Sequence, residues 1–263
     1  MKMIKQGNIY IRLINRRSNK LKKILLIIPA YNEQDNILDV CNIIKKYNES
    51  NEQKLDYIVI NDGSKDDTLK KLQENRLNHI NLINNLGIGG AVQTGYKYAY
   101  ENNYDIAVQF DGDGQHDVNY VKKICEPIIE GQANMCIGTR YLDKKESKFQ
   151  STFMRRLGSG IISFFIHLCC GKRITDPTSG FRAVDKTVIK EFANNYPTEY
   201  PEPESTVSLL VSKYKIIDVP VSMNERKGGV SSIRFGKTID YMAKVVLAII
   251  IDSISFRKKG GKK

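Results

Sequence analysis

The sequence predicts an α/β protein with a Rossmann-like, mostly parallel central sheet flanked by helices, and a C-terminal helix lying at an interface. Three observations lead there. Up to about residue 130, short apolar runs alternate with helical stretches. Successive runs end far enough apart for the crossover connections that parallel strands require. The segments just after the runs are polar and glycine-rich, which is where open sheets of this kind bind ligands.

In chain order, the strands read as Ile24–Ile28, Asp56–Ile60, Ile80–Ile83 and Ile106–Phe110, with helical patterns near 34–47, 66–75, 90–101 and 117–130 between them. The strand ends spell Pro29-Ala30-Tyr31-Asn32-Glu33, Asn61-Asp62-Gly63-Ser64, Asn84-Asn85-Leu86-Gly87 and Asp111-Gly112-Asp113-Gly114-Gln115. The second half is less regular. A strand at Met135–Gly138 leads to Thr139-Arg140, and an apolar run, Ile161–Cys170, reads as a core helix. Asp176-Pro177-Thr178-Ser179-Gly180-Phe181-Arg182 and Tyr200-Pro201-Glu202-Pro203-Glu204 follow. Short strands near Ile216–Val219 and Val221–Asn224 precede a glycine- and serine-rich stretch from Arg226 to Ser232. The expected organisation is a basic segment over 1–23, one catalytic domain over 24–232, and a membrane-facing helix with a basic tail over 233–263.

Charge is distributed unevenly along the chain. The net +12 comes from its two ends: residues 1–23 hold eight Lys or Arg, residues 257–263 hold five, and neither segment has an acid. The body between them carries a net charge of −1, which argues against a basic nucleic-acid groove. Basic ends suit an anionic membrane surface; solvated tails are the other reading. Five cysteines without a Cys-x-x-Cys pair, and a start without a sustained apolar core, are expected of free thiols in a reducing compartment. No segment reaches the ~18 apolar residues of a membrane span. Ile239–Phe256, interrupted by Asp240, Lys244 and Asp252, reads as a helix in the membrane interface or as a core helix.

Asp111-x-Asp113 is the sharpest chemical signal. After an extended strand, residues two apart face the same way, and paired carboxylates suit a hard divalent cation, Mg²⁺ or Mn²⁺. Gln115 continues the alternation and offers a carbonyl oxygen; an ordinary Asp-Gly turn is the alternative. A calcium loop starting at Asp111 fails, with His116 and Lys122 where Gly and Glu belong. There is no Walker A string, no G-x-S-x-G and no zinc spacing, and Gly87-Ile88-Gly89-Gly90 departs from the dinucleotide pattern at Val92. Dehydrogenases, P-loop kinases and serine hydrolases are disfavoured.

Taken in order, IIPAYNE, VINDGS, NLGIGGAVQTG, DGDGQHD, GTR and DPTSGFRA resemble family 2 glycosyltransferases of the A-type fold, from about Ile24 to Ser232. The Asp-x-Asp-x-Gln form, Arg155 with Ser159, and DPTSGF are most similar to the polyprenyl-phosphate sugar synthases, such as dolichyl-phosphate mannose synthase and its bacterial counterparts. The resemblance implies that Pro29, Tyr31 and Glu33 border a nucleotide, that Asp62 holds its base or ribose, and that Gly89, Gly90 and Gln93 line the cleft. It implies Asp111, Asp113 and Gln115 on the metal, with Gly112 beside the donor and Arg226 as a mobile clamp on the donor phosphates. Arg140, Arg155 and Ser159 would face an acceptor phosphate, and Glu202 or Glu204 lies where a base falls in polysaccharide-building relatives. Many bacterial members carry paired C-terminal transmembrane helices; their lack here suggests a small integral membrane partner.

The expected reaction moves a hexose from a UDP- or GDP-sugar to a polyprenyl phosphate at the inner membrane face, with inversion and a divalent cation neutralising the departing diphosphate. A phosphate acceptor is already ionised, whereas a sugar hydroxyl would need a base such as Glu204. Direct transfer to a sugar hydroxyl is therefore the alternative within the class. A non-catalytic nucleotide-sugar-binding membrane scaffold is the alternative outside it. No nucleic-acid partner is expected.

Overall fold

The computed structural model describes residues 5–6, 9–10, 21–141, 153–224 and 238–260, with the backbone alone at 5–6, 9–10, 153–155, 238–241 and 256–260. A short antiparallel pair, β1 (Lys5–Gln6) and β2 (Ile9–Tyr10), stands apart from the main sheet. That sheet has seven strands: β3 (Ile24–Ala30), β4 (Leu55–Asn61), β5 (His79–Asn81), β6 (Ile106–Gln109), β7 (Met135–Thr139), β8 (Arg182–Asp185) and β9 (Ile216–Pro220). Their spatial order is β5-β4-β3-β6-β8-β7-β9.

Every residue of β3 is buried, because it is central and covered on both faces. This is why it reads as an unbroken apolar run rather than an alternation. Ile24, Leu26 and Ile28 pack on one side with α1 (Ile37–Ser50) and α4 (Tyr120–Ile129). Leu25 and Ile27 pack on the other side with α3 (Gly87–Glu101). That second layer also holds α5 (Phe153–Cys170), α6 (Lys186–Asn194), α7 (Pro201–Val211) and α8 (Thr238–Gly260). A short helix, α2 (Thr68–Glu74), follows β4. Gly95 lets α3 lie directly on β3: a Cβ there would stand 2.1 Å from Ile27 Cγ2.

The expected strands and first four helices form, with three departures. β8 is antiparallel to both β6 and β7, so the sheet is mixed at a strand that no apolar run announces; two of its four residues, Arg182 and Asp185, are charged. Val221–Asn224 is not a strand but a single bridge, Met223 to His116. The expected third strand stops at Asn81, and Ile83 is 93 % exposed. Two helices also arise where no periodicity announced them. Asp185 caps α6, its Oδ1 accepting from the Thr187 and Val188 amides at 2.9 Å each. Pro201 and Pro203 sit in the first turn of α7, where their missing N–H groups cost nothing.

α7 packs on α8, and on that face Glu204 meets Asp252. Burial and then the neighbouring carboxylate push Glu204 up to about 7, and burial raises Asp252 as well.

Two predictions follow from this packing. Gly95→Ala should gain ~1 kcal/mol of helix propensity yet lose ~1–3 kcal/mol to overpacking against Ile27, a net fall in urea midpoint. An unchanged or raised midpoint would show that α3 lifts off the sheet without cost. Because the folded state holds the Glu204 proton more tightly than the unfolded chain does, stability should fall as pH rises from about 4.5 toward 7. Glu204→Gln should therefore raise the melting temperature at pH 8 and change it little at pH 4. Equal shifts at both pH values would dismiss the carboxylate pair as the cause.

Candidate active site

The loops at the carboxyl ends of β3, β4 and β6 are knitted together by backbone geometry. Asn32 adopts φ +55°, a left-handed turn that Asn tolerates. Its amide donates to Ser64 Oγ (3.0 Å), and its Oδ1 accepts from the Lys65 amide (2.9 Å). The Glu33 amide donates to Thr68 Oγ1, while Glu33 Oε2 accepts from Asn36 Nδ2 (2.8 Å). Asp62 is buried; its amide donates to the Ala30 carbonyl and its Oδ1 accepts from the Leu86 amide (2.7 Å). Gly63 (φ +64°) passes so close to Asn84 and Asn85 that a Cβ would lie 2.9 Å from the Asn85 nitrogen. Tyr31, 43 % exposed, stands beside this corner.

Asp111 and Asp113 follow β6 on either side of Gly112, whose Cβ position would lie 3.0 Å from the Pro29 carbonyl oxygen. Asp113 Oδ1 accepts from the Gln115 amide (3.0 Å), which fixes the turn. His116 is buried behind it, stacked on Phe181 at 4.7 Å and edge-on to Phe110. Its Nδ1 accepts from the Asp111 amide (3.0 Å), so Nε2 carries the proton, 3.5 Å from Asp111 Oδ2. Burial lowers His116 to about 4, against the pull of Asp113, so the ring is neutral at physiological pH. The 176–182 loop closes over the same carboxylate: a Cβ on Gly180 would lie 3.1 Å from Asp111 Oδ2 and 3.0 Å from Gln109 Nε2.

Behind this loop, Arg140 forms a two-pronged pair with the fully buried Asp176, Nε to Oδ2 at 2.7 Å and Nη2 to Oδ1 at 2.8 Å. Burial opposes the charge on Arg140, but the hydrogen bonds and charge of Asp176 outweigh it and hold the guanidinium protonated. Arg140 and Arg156 both lie against the Tyr141 ring, at 5.4 and 5.9 Å from its centroid. The Tyr141 hydroxyl is buried and has no hydrogen-bond partner among the described residues, and the same is true of the Ser159 hydroxyl on α5. Ser159 lies one helical turn beyond Arg155, on the same side of α5.

Other expected residues are placed differently. Gln93 turns its amide toward the Ala193 carbonyl of α6 (3.5 Å). Gly89 lies against the backbone of Pro197 and Thr198, where a Cβ would stand 2.6 Å from the Pro197 oxygen, and Gly90 packs against the Leu86 side chain. Glu204 faces α8 rather than the strand ends. Its neighbour Glu202 faces the other way: burial raises its pKa, Arg182 opposes that, and its carboxylate accepts from Gln109 and senses Asp111. Arg226 and the Arg155 side chain lie outside the described residues.

Sequence reasoning passed over four residues here: Gln109, Asp176, Arg182 and, as the site-facing member of its pair, Glu202. Gln109 carried a signal, a polar residue inside the apolar strand IAVQF. Arg182 carried none, since an arginine after a turn motif reads as surface. Among the described residues no group of three or more His, Cys, Asp or Glu is arranged to hold a metal ion. Asp111 and Asp113 supply two hard oxygen donors, a set that suits a cation whose remaining ligands are a substrate's phosphates.

Comparison with known proteins agrees with this geometry. The model of the Glycosyl transferase family 2 matches residues 25–192. The UDP-N-acetylglucosamine–dolichyl-phosphate N-acetylglucosaminyltransferase of Methanococcus voltae is 35 % identical over 219 residues, covering 76 % of this chain and 85 % of that protein. The dolichol-phosphate mannosyltransferase of Pyrococcus furiosus is 32 % identical over 228 residues, 82 % of this chain and 60 % of that protein. Among solved structures, the glucosyl-3-phosphoglycerate synthase of Mycobacterium tuberculosis in complex with Mn²⁺, UDP and glucosyl-3-phosphoglycerate superposes with a TM-score of 0.62 at 16 % identity. That match spans 88 % of this chain and 80 % of that one and carries the A-type fold. The chain belongs to glycosyl transferase family 2 and is a glycosyltransferase.

Proposed function

We propose that this glycosyltransferase moves a hexose from a UDP- or GDP-sugar to a polyprenyl phosphate, with inversion, at the inner face of the membrane. The observation that carries the acceptor assignment is two buried hydroxyls with no hydrogen-bond partner among the described residues: Tyr141 Oη, whose ring lies against Arg140 and Arg156, and Ser159 Oγ on α5. A buried hydroxyl without a partner costs ~1–3 kcal/mol, a cost removed when an acceptor oxygen arrives. Phosphate is the acceptor that arginines select through charge-assisted bonds. The names of the two relatives given above support the same substrate class.

Asp111 and Asp113 would hold Mg²⁺ or Mn²⁺, with Gln115 beside them. When bound, the cation neutralises charge developing on the departing diphosphate. The chain's own residues prepare the place. His116 fixes the Asp111 backbone while remaining neutral, so it adds no positive charge to compete with the cation. Gly180 keeps the covering loop from displacing Asp111. On the donor side, Pro29, Tyr31, Glu33 and Asp62 border the nucleotide, with Gly112 beside the donor and Arg226 closing on the diphosphate. Gly89, Gly90 and Gln93 of α3 instead face Pro197 and Thr198, Leu86 and α6 respectively. The catalytic body is residues 24–232, with 1–23 and 233–263 as its flanking segments, and a small integral membrane partner would help hold it at the bilayer.

A second reading, transfer to a sugar hydroxyl, rests on Glu202, the carboxylate that faces Asp111. It then replaces Glu204 as the base. Incubation with membranes and a panel of labelled UDP- and GDP-sugars separates the two. Label in the lipid fraction supports polyprenyl phosphate; label in polymer alone, abolished by Glu202→Gln, would replace it with the hydroxyl reading.

The metal and acceptor assignments give one prediction each. Asp113→Ala should lower kcat at least ~10²-fold, consistent with loss of a transition-state charge contact, and EDTA should do the same reversibly. Turnover in EDTA equal to that in Mn²⁺ would remove the metal from the mechanism. Ser159→Ala should leave the melting temperature unchanged or slightly higher, since no hydrogen bond to a described residue is lost. It should raise the acceptor KM ~10-fold, the worth of one hydrogen bond to a charged group. A drop in stability with no change in acceptor KM would show that Ser159 is only a packing residue.

A further inference from the structure

We propose that Tyr96 is a positioning residue for Glu202, acting through one buried water that it shares with Gln109. Tyr96 lies in α3 and packs as a core residue, fully buried, with its ring 5.1 Å from that of Phe192 and 5.4 Å from that of Tyr196. Its hydroxyl nevertheless has no hydrogen-bond partner among the described residues. The same is true of Gln109 Oε1, on a residue only 1 % exposed. Native interiors rarely leave such groups open, and these two lie behind the candidate active site.

The fold brings both side chains to one place. Ala107 of β6 belongs to the second core, so Gln109, two residues on, points to the same face of the sheet. There it stands in register with Ile27 on one side and Arg182 on the other. α3 rests on Ile27 at Gly95, and Tyr96 is the next residue of that helix. The electrostatics agree with this placement. Burial raises Tyr96 above an ordinary phenol, and the charges that then act on it are Arg182 and Glu202. Gln109 donates to that same Glu202 carboxylate. Tyr196, hydrogen-bonded to Ser205, belongs to the group as well: burial raises it, and Tyr96, Glu202 and Arg182 all act on it.

The chemistry of the open atoms selects the ligand. A phenol can donate, an amide oxygen only accepts, and the two do not bond each other directly. One water accepts from Tyr96 and donates to Gln109 Oε1, with the Tyr196 hydroxyl as a third polar neighbour. An anion is opposed by the Glu202 carboxylate and a cation by the Arg182 guanidinium. The line Tyr96–water–Gln109–Glu202 then runs from α3 to α7. Arg182 already holds the backbone of that α7 turn at the Glu202 carbonyl. With both ends of its amide engaged, Gln109 cannot rotate, and the Glu202 side chain is held too. A carboxylate fixed beside Asp111 stabilises positive charge developing on a transferred sugar, whichever acceptor receives it. The proposal therefore rests on the proposed site at Asp111 and not on the choice between phosphate and hydroxyl.

The test uses the full chain with Tyr96→Phe, Gln109→Met, Glu202→Gln and their pairwise combinations. A crystal structure of the wild type should show one ordered water within hydrogen-bond distance of both Tyr96 Oη and Gln109 Oε1. Tyr96→Phe should lower the urea midpoint, and this loss should vanish when residue 109 is already Met. An unchanged or raised midpoint, or no water between the two atoms, would overturn the proposal. In transfer from the labelled sugar that the wild type uses, Tyr96→Phe should lower kcat ~10-fold and leave both KM values within about 2-fold. In the Glu202→Gln background it should lower kcat no further. A lower midpoint with unchanged kcat would make Tyr96 a packing residue, and a further fall beside Glu202→Gln would show another route; either overturns the positioning role. The water and the midpoints are read without donor, so a wild type that transfers no sugar would overturn the proposed reaction and leave them standing.

Discussion

The arrangement of the catalytic end depends on one buried cation, Arg182. It lies on β8 between the strands that carry Gln109 and Ile137, and it is 1 % exposed. Its guanidinium donates to the carbonyls of Ser179 (2.7 Å), Pro177 (2.7 Å) and Glu202 (2.7 Å), and to the hydroxyls of Ser205 (3.0 Å) and Thr206 (3.1 Å). Removing such a charge from water is expensive, and the expense is tolerated only where the donors are satisfied. The 177–179 loop and the first turn of α7 are shaped to satisfy them. The antiparallel placement of β8, which breaks the run of parallel strands, brings this side chain to the point where loop and helix meet.

The consequences propagate outward in short steps. With the loop held at Pro177 and Ser179, Gly180 is pressed against Asp111 and Gln109, where a Cβ would make those side chains give way by a few tenths of an ångström. Asp176, at the start of the same loop, is carried to a fully buried position where Arg140 supplies the compensating charge and the Thr178 hydroxyl a further donor. Arg140 is thereby fixed in orientation, with Tyr141 stacked beside it. Two arginines with opposite surroundings thus do different work. Arg182 is hydrogen-bonded by carbonyls and hydroxyls, with the Glu202 carboxylate within reach of its charge, and builds the frame, whereas Arg140 is bonded directly to a carboxylate and borders the candidate site.

The sequence made the carboxyl ends of the strands legible because each apolar run stops at a polar, glycine-rich turn, and those turns form the site. Asp111, Asp113 and Asp62 could be placed from such breaks alone. β8 could not, because its signal is hidden by Arg182 and Asp185, residues whose burial depends on partners distant in sequence. Nor could the outer face of α5 be read: the run Ile161–Cys170, polar only at Ser163 and His167, has no polar stripe to show which side meets the core. The His116 position was visible only as the residue that fails a calcium loop, although it braces the Asp111–Gln115 turn through the Asp111 amide.

The choice between Glu202 and Glu204 shows the limit of sequence reading most clearly. Two residues apart on a helix lie ~200° around its axis, so one of the pair must face away from whatever the other faces. The motif Pro-Glu-Pro-Glu contains both options equally. Arg182 decides between them by accepting no rotation of that turn: it bonds the Glu202 carbonyl and the two hydroxyls one turn later. Glu202 is left toward Gln109 and Asp111, and Glu204 toward Asp252 of α8. α7 therefore touches the catalytic end with one side and α8 with the other. A displacement of α8 can reach Glu202 only by moving a turn whose backbone is held by a buried charge, and the catalytic geometry is insulated from events on that outer helix.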